Sequence, residues 1–192
     1  MVIPGKQHLE IRPLTEDDYP ALDQFCATCD SLGLANNKDR HAIKLDKMRM
    51  PYGQYFVGVD HNTNRIWNLA GVHYLPEIED GVWRVLFRGA QLPGYALGTG
   101  KDFLRVSYHW RYFLPLQIQF IQQVFPDAKF VVSTNVQNST AGKSDQLDKK
   151  VMPLLLNRGI VSLLRGNVEL FNTRQNVWLI HPSVLIQALA KY

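Results

Sequence analysis

Residues 91–100 read Gln91-Leu92-Pro93-Gly94-Tyr95-Ala96-Leu97-Gly98-Thr99-Gly100, and the setting of this stretch decides how the fold is read. A β-type run, Val82-Trp83-Arg84-Val85-Leu86-Phe87-Arg88, comes just before it, and the apolar pattern that follows predicts a long helix from about 103 to 125. A glycine-rich turn between a strand and a helix aims bare backbone N–H groups at one point, where the helix N-terminus adds its partial positive charge. Glycine lets an anion approach without a Cβ in the way. The physical reading is a pyrophosphate cradle. It is not a Walker loop, because Gly98-Thr99-Gly100-Lys101-Asp102 lacks the hydroxyl after the lysine that would hold magnesium. Nor do Gly94, Gly98 and Gly100 follow the G-x-G-x-x-G order of a dinucleotide fingerprint, and no βαβ unit opens the chain. An ordinary loop and helix start is the alternative that this stretch leaves open.

Working outward, residues 8–15 read as an edge strand and Glu16 to about Leu32 as a helix that stops at Gly33, with Pro20 disturbing its first turns. A basic segment, 38–49, reads as a second short helix. Residues 55–59 and 66–75 form a hairpin around Asp60-His61-Asn62-Thr63-Asn64, and the strand 82–90 joins it as a meander. Pro115 should kink the long helix 101–125 or break it in two. A strand at 129–135, a polar stretch at 136–146, a helix at 145–158 containing Pro153, a hairpin of 161–171 with 176–181, and a short helix at 183–190 complete the chain. Antiparallel strands, then strand–helix–strand, then a hairpin give an α+β fold of α/β type. Its single mixed, mostly antiparallel sheet would be flanked by helices.

Three short motifs in this order resemble the GNAT superfamily of N-acetyltransferases. Tyr95-Ala96-Leu97-Gly98-Thr99-Gly100 is similar to the acyl-CoA pyrophosphate loop of that family, Arg/Gln-x-x-Gly-x-Gly/Ala, at both glycines but not at the first position. Leu9-Glu10-Ile11-Arg12-Pro13-Leu14-Thr15-Glu16-Asp17-Asp18 resembles the opening of the domain, a strand ending in Arg-Pro followed by a capping Thr. Lys129-Phe130-Val131-Val132-Ser133-Thr134-Asn135, with Asn138 and the helix ending Asn157-Arg158-Gly159-Ile160, resembles its closing segment. The resemblance covers roughly residues 9–181. It implies one GNAT-like domain over 1–192, a pantetheine cleft between 86–92 and 130–135, and an acyl-CoA, chiefly acetyl-CoA, as co-substrate. Cofactor contacts would then come from Gln91, Leu92, Tyr95, Ala96, Leu97, Gly98, Thr99, Gly100 and Asn138. Backbone N–H groups at Gln91 and Leu92 would polarise the thioester carbonyl. The family's thiolate-protonating Tyr falls at about Leu155, where leucine cannot do the work. Tyr95, Tyr108 or a water could substitute.

Composition bounds the rest. A chain of 192 residues with 46% hydrophobic and 20% charged residues belongs to the globular class and has the length for one sizeable core. No apolar run approaches the roughly 20 residues that span a bilayer, no signal-peptide pattern opens the chain, and two cysteines make no disulfide framework. The expected setting is the cytoplasm, without a membrane partner. Cys26-Ala27-Thr28-Cys29 lies far along its helix, away from the N-terminus a redox pair wants, and no second pair exists to complete a zinc site, so no metal is expected.

The net charge of +4 permits an acidic partner without requiring one. Arg40, Lys44 and Lys47 recur at helical spacing, so they form either a solvated face or a substrate-binding face. For a base the chain offers His73 on a strand that would border the cleft, Glu77, Glu79 and His109. A strand histidine is also an ordinary structural residue. Arg88, amid apolar neighbours, would hold an anionic group or face solvent. Asn135 would serve catalysis or bond the substrate, and both asparagines are also ordinary turn residues. Two functions follow. One is acyl transfer to a primary amine on a small-molecule or macromolecular acceptor, with an acidic or nucleic-acid-linked one among the candidates. The other is a non-catalytic nucleic-acid-binding or adaptor domain on a degenerate scaffold. The oligomeric state is not legible in the residues.

Overall fold

The fold is described from a computed structural model, for residues 1–34, 51–95, 97, 102–136 and 147–192. The chain divides into two compact units, each built from two segments: Met1–Tyr74 with Val85–Gln117, and Leu75–Arg84 with Ile118–Tyr192. The division passes through one strand and one helix.

In the first unit, β1 (Val2–Ile3), β2 (Lys6–Pro13), β3 (Gly53–Asp60), β4 (Arg65–Tyr74) and the greater part of β5 (Val82–Gln91) lie side by side in chain order. β2 is therefore not an outermost strand as the sequence suggests. The short β1 pairs with it antiparallel, and the chain's N-terminal ammonium donates to the Ile11 carbonyl at 2.6 Å. Thr15 and Asp18 form a reciprocal capping box at the 3₁₀ turn Glu16–Asp18. Arg12 at the end of β2 grips the same Asp18 carboxylate with two N–H groups, at 2.7 and 2.6 Å. Burial alone would raise Asp18, but these donors hold its carboxyl below its ordinary value. Helix α1 (Tyr19–Ser31) follows with Pro20 harmlessly in its first turn, where the missing N–H has no partner to lose. Leu22, Phe25, Cys26 and Cys29 recur on one face and pack on Tyr55, Val57, Val59 and Leu69. The cysteine pair is thus absorbed by this core, and burial pushes the Cys29 thiol up to about 11. Each large side chain buried here contributes roughly 1.5–3 kcal/mol.

The predicted helix 101–125 is broken. α2 (Phe103–Val106) is capped by the Asp102 side chain and ends where Ser107 turns extended. A π turn, His109–Phe113, then runs into α3 (Leu114–Gln122), and Leu114 N–H reaches back five residues to the His109 carbonyl. Pro115 explains the widened turn. It has no N–H for the carbonyl four residues back, and its ring would crowd that group in a regular helix.

In the second unit the first residues of β5 pair parallel with β6 (Lys129–Asn135) through Val82↔Lys129, Trp83↔Phe130 and Arg84↔Val131. β6 pairs antiparallel with β8 (Thr173–Ile180), and β8 with β7 (Val161–Leu170). The hairpin turn is tighter than the sequence suggests. Phe171 and Asn172 both take positive φ, as a two-residue turn between right-twisted strands requires. A π turn, Leu147–Val151, precedes α4 (Met152–Asn157), and α5 (Pro182–Leu189) closes the chain. The core here is Leu75, Val82, Val131, Leu170 and Val177. The result is a mixed, mostly antiparallel sheet flanked by helices, as the sequence leads one to expect. Among the described residues no helix is long and apolar enough to cross a membrane.

Candidate active site

The end of β5 is held by a chain of side-chain bonds. Asn68 Nδ2 donates to Gln91 Oε1 at 3.0 Å, and Gln91 Nε2 donates to the Tyr95 carbonyl at 2.7 Å. The Tyr95 hydroxyl donates to Asp60 Oδ2 at 2.9 Å, and its ring stacks on Trp67 with centroids 5.2 Å apart. Burial would raise the Asp60 carboxyl, but the donors Tyr95 and Asn62 outweigh it and hold it below its ordinary value. The Tyr95 phenol is pushed up, first by burial and then by the bond to Asp60, so it keeps its proton. This arrangement fixes Tyr95, the first residue of the glycine-rich segment. It also commits the only hydroxyl proton of Tyr95 to Asp60. Leu92 N–H donates to the Trp67 carbonyl at 2.9 Å, so that amide is already spent within the sheet rather than held ready for a thioester carbonyl.

Earlier in β5 the strand is distorted. Leu86 has φ 58°, a conformation that bulky L-residues avoid and that strands rarely carry away from functional sites. Its N–H donates to Oε1 of Gln117 on α3 at 3.2 Å. Gln117 is fully buried, and its Nε2 has no hydrogen-bond partner. Nδ1 of His109 is buried and likewise unpartnered. The His109 ring lies against Gly89, where a Cβ would stand 3.1 Å from Cε1 and 3.3 Å from Nδ1. Desolvation pushes His109 down to about 4, so the imidazole is neutral at physiological pH.

In the second unit Asp148, on the π turn, accepts from the Thr134 hydroxyl and from Asn176 Nδ2 at 3.2 and 3.3 Å. Trp178 Nε1 donates to Thr134 Oγ1 at 2.9 Å. Asn135, the last residue of β6, sits opposite Gln175. Leu155, near which the resemblance would put a thiolate-protonating tyrosine, is buried in the core. Of the other candidate bases in this unit, Glu77 is exposed and Glu79 is engaged by Lys129.

Gln91, Leu92 and Tyr95 are therefore brought together at one end of β4 and β5, with Leu97 a partly buried bend just beyond. His73 is elsewhere. It lies six residues along β4 from Trp67, on the order of 20 Å at the rise of a strand, with its ring edge-on to Phe87 at 4.4 Å. Tyr95 and His73 thus do not meet at one reacting atom. Arg88 falls within β5. Ala96, Gly98, Thr99, Gly100 and Asn138 of the expected cofactor set, and Arg40 and Lys44 of the basic face, lie outside the described residues. Sequence reasoning passed over Asp60, Asn68 and Gln117. Only Gln117 carried a signal, as a polar residue in the apolar helical stripe with Leu114, Ile118 and Ile121.

No protein-family model and no curated protein matches the chain. Solved structures do. An acetyltransferase of the GNAT family from Staphylococcus aureus Mu50 superposes with a TM-score of 0.57 at 9% identity, over 91% of this chain and 99% of its own. Spermidine N-acetyltransferase from Vibrio cholerae, in complex with CoA and spermine, gives 0.54 at 11% identity over 93% and 98%. The apo form of a nucleotide-linked sugar GNAT gives 0.58 at 9% identity over 96% and 93%. With such coverage on both sides, the chain has the fold of the GNAT acetyltransferases.

Proposed function

We propose that this protein is an acyl-CoA-dependent N-acyltransferase, with acetyl-CoA as co-substrate and a primary amine as acceptor. The observation that carries the reading is the Asp60–Tyr95–Gln91–Asn68 chain, which fixes the start of the glycine-rich segment at the end of β5. The loop of residues 95–100 would then receive the pyrophosphate through backbone N–H groups. The acceptor nitrogen attacks the thioester carbon, the C–S bond breaks and the thiolate leaves with a proton. His73 is the proposed acceptor of the amine proton, and Tyr95 is a positioning residue. Asn135 and Asn138 would contact pantetheine or substrate, and Arg40, Lys44 and Arg88 an anionic acceptor. The test is calorimetric titration with acetyl-CoA, with CoA and ATP as controls. Micromolar binding of both thiol forms without ATP binding is the expected result. Absence of both removes the reading.

The burial of Leu155 favours a second reading. With no family acid at that position, the chain would be a nucleic-acid-binding or adaptor domain on a GNAT scaffold. In that case Arg40→Ala with Lys44→Ala weakens DNA binding and flattens its salt dependence.

A further inference from the structure

Two buried polar atoms without partners, Gln117 Nε2 and His109 Nδ1, flank one distorted stretch of β5, Leu86 to Gly89. An unpaired buried donor is costly, and a fold that carries one against a distorted strand keeps it for something. Gln117 Oε1 is already taken by the Leu86 N–H, which pins the side-chain amide against the strand and leaves its two Nε2 protons as donors. An N–H donor needs an acceptor, so the missing partner of Gln117 Nε2 is an acceptor oxygen.

We propose that Gln117 Nε2 receives the carbonyl oxygen of the acyl thioester. The proposal rests on the acyl-CoA reading and adds to it a named donor for the acyl oxygen, in place of the Leu92 amide that β4 has already claimed. No bond forms or breaks at Gln117. It binds and orients the carbonyl while the chemistry occurs at the carbon.

The test compares acetyl-CoA with S-ethyl-CoA, a thioether that keeps every feature except the carbonyl. The wild-type protein should prefer acetyl-CoA roughly fivefold, the worth of about one neutral hydrogen bond. Gln117→Met should bring that ratio to about one while leaving the affinity for free CoA within twofold. In ¹⁵N-labelled wild-type protein, the Gln117 side-chain amide resonances should shift with acetyl-CoA and stay in place with S-ethyl-CoA, which decides the matter even if the variant fails to fold. Equal affinity of the two ligands, a preference retained in Gln117→Met, or silent Gln117 resonances would overturn the proposal while CoA binding still upheld the acyltransferase. Loss of all CoA binding in the wild type would remove both.

Discussion

The hydroxyl of Tyr95 donates a hydrogen bond to a buried carboxylate, and that single bond joins the end of β3 to the residue where the glycine-rich segment begins. Tyr95→Phe keeps the ring on Trp67 and removes only this donor. A buried acceptor deprived of one partner costs about 1–3 kcal/mol, so urea unfolding should show that loss with an unchanged slope. CoA affinity should fall in parallel, because the loop start loses its anchor. Unchanged stability would mean that Asp60 finds water instead and that the bond constrains nothing. His109 supplies a pH signature. Its folded pKa, about 4, lies below the ordinary value of 6.5, so the unfolded chain takes up this proton first as pH falls. Stability from the neutral buried imidazole is complete above 6.5 and drains away between 6.5 and 4, by roughly 3 kcal/mol at the acid end. Urea midpoints measured across that window should slope downward in the wild type, and His109→Phe should flatten the slope. A slope that survives the substitution would assign it to other groups.

Among the elements, the β3–β4 hairpin shows how close the packing is around the stack. A Cβ at Gly58 on β3 would stand 2.6 Å from Cε2 of Trp67 on β4, so Gly58→Ala must displace the indole on which Tyr95 rests. We expect a loss of about 1–3 kcal/mol, and a CoA affinity that falls further than in a variant equally destabilised at a distant core position such as Val177. Equal losses of affinity in the two would separate the stack from the cofactor loop. The strands of this hairpin were readable because apolar runs and an Asp-Asn-rich turn are local signals. The helix after the loop was not readable, because the extended turn at Ser107 has no residue-level mark and Pro115 is accommodated by a π turn rather than a simple kink. The site divides in the same way. Gln91, Leu92 and Tyr95 announce themselves by adjacency to the glycines. Their partners Asn68 and Asp60 stand 23 and 35 residues away, and only the pairing of strands brings them in. His73 was legible as a histidine on the right strand, but not its distance from Tyr95, which depends on register.

For the whole molecule, the fold leaves an acyltransferase and a binder on the same scaffold, and ligand linkage separates them. A cofactor that binds only the folded protein stabilises it by about 2.7 kcal/mol at a hundredfold excess over its Kd. For a chain of this size that is a rise of roughly 5–10 °C in melting temperature. Free CoA should produce this rise. Gly98→Glu should abolish it, since a carboxylate in the proposed anion cradle repels the pyrophosphate, and the melting temperature of the variant without ligand is the control for its folding. Leu155 sharpens the distinction, because a buried leucine gives no proton to a leaving thiolate. Leu155→Tyr should overpack the core by about 1–3 kcal/mol and leave the CoA-induced rise intact. If CoA gives no rise but a DNA duplex does, and Arg40→Ala with Lys44→Ala reduces the salt slope of that binding by about two, the basic face is the functional surface and the glycine-rich segment only joins strand to helix. A rise with CoA that Gly98→Glu leaves untouched would instead uphold the cofactor and move its pyrophosphate away from the loop.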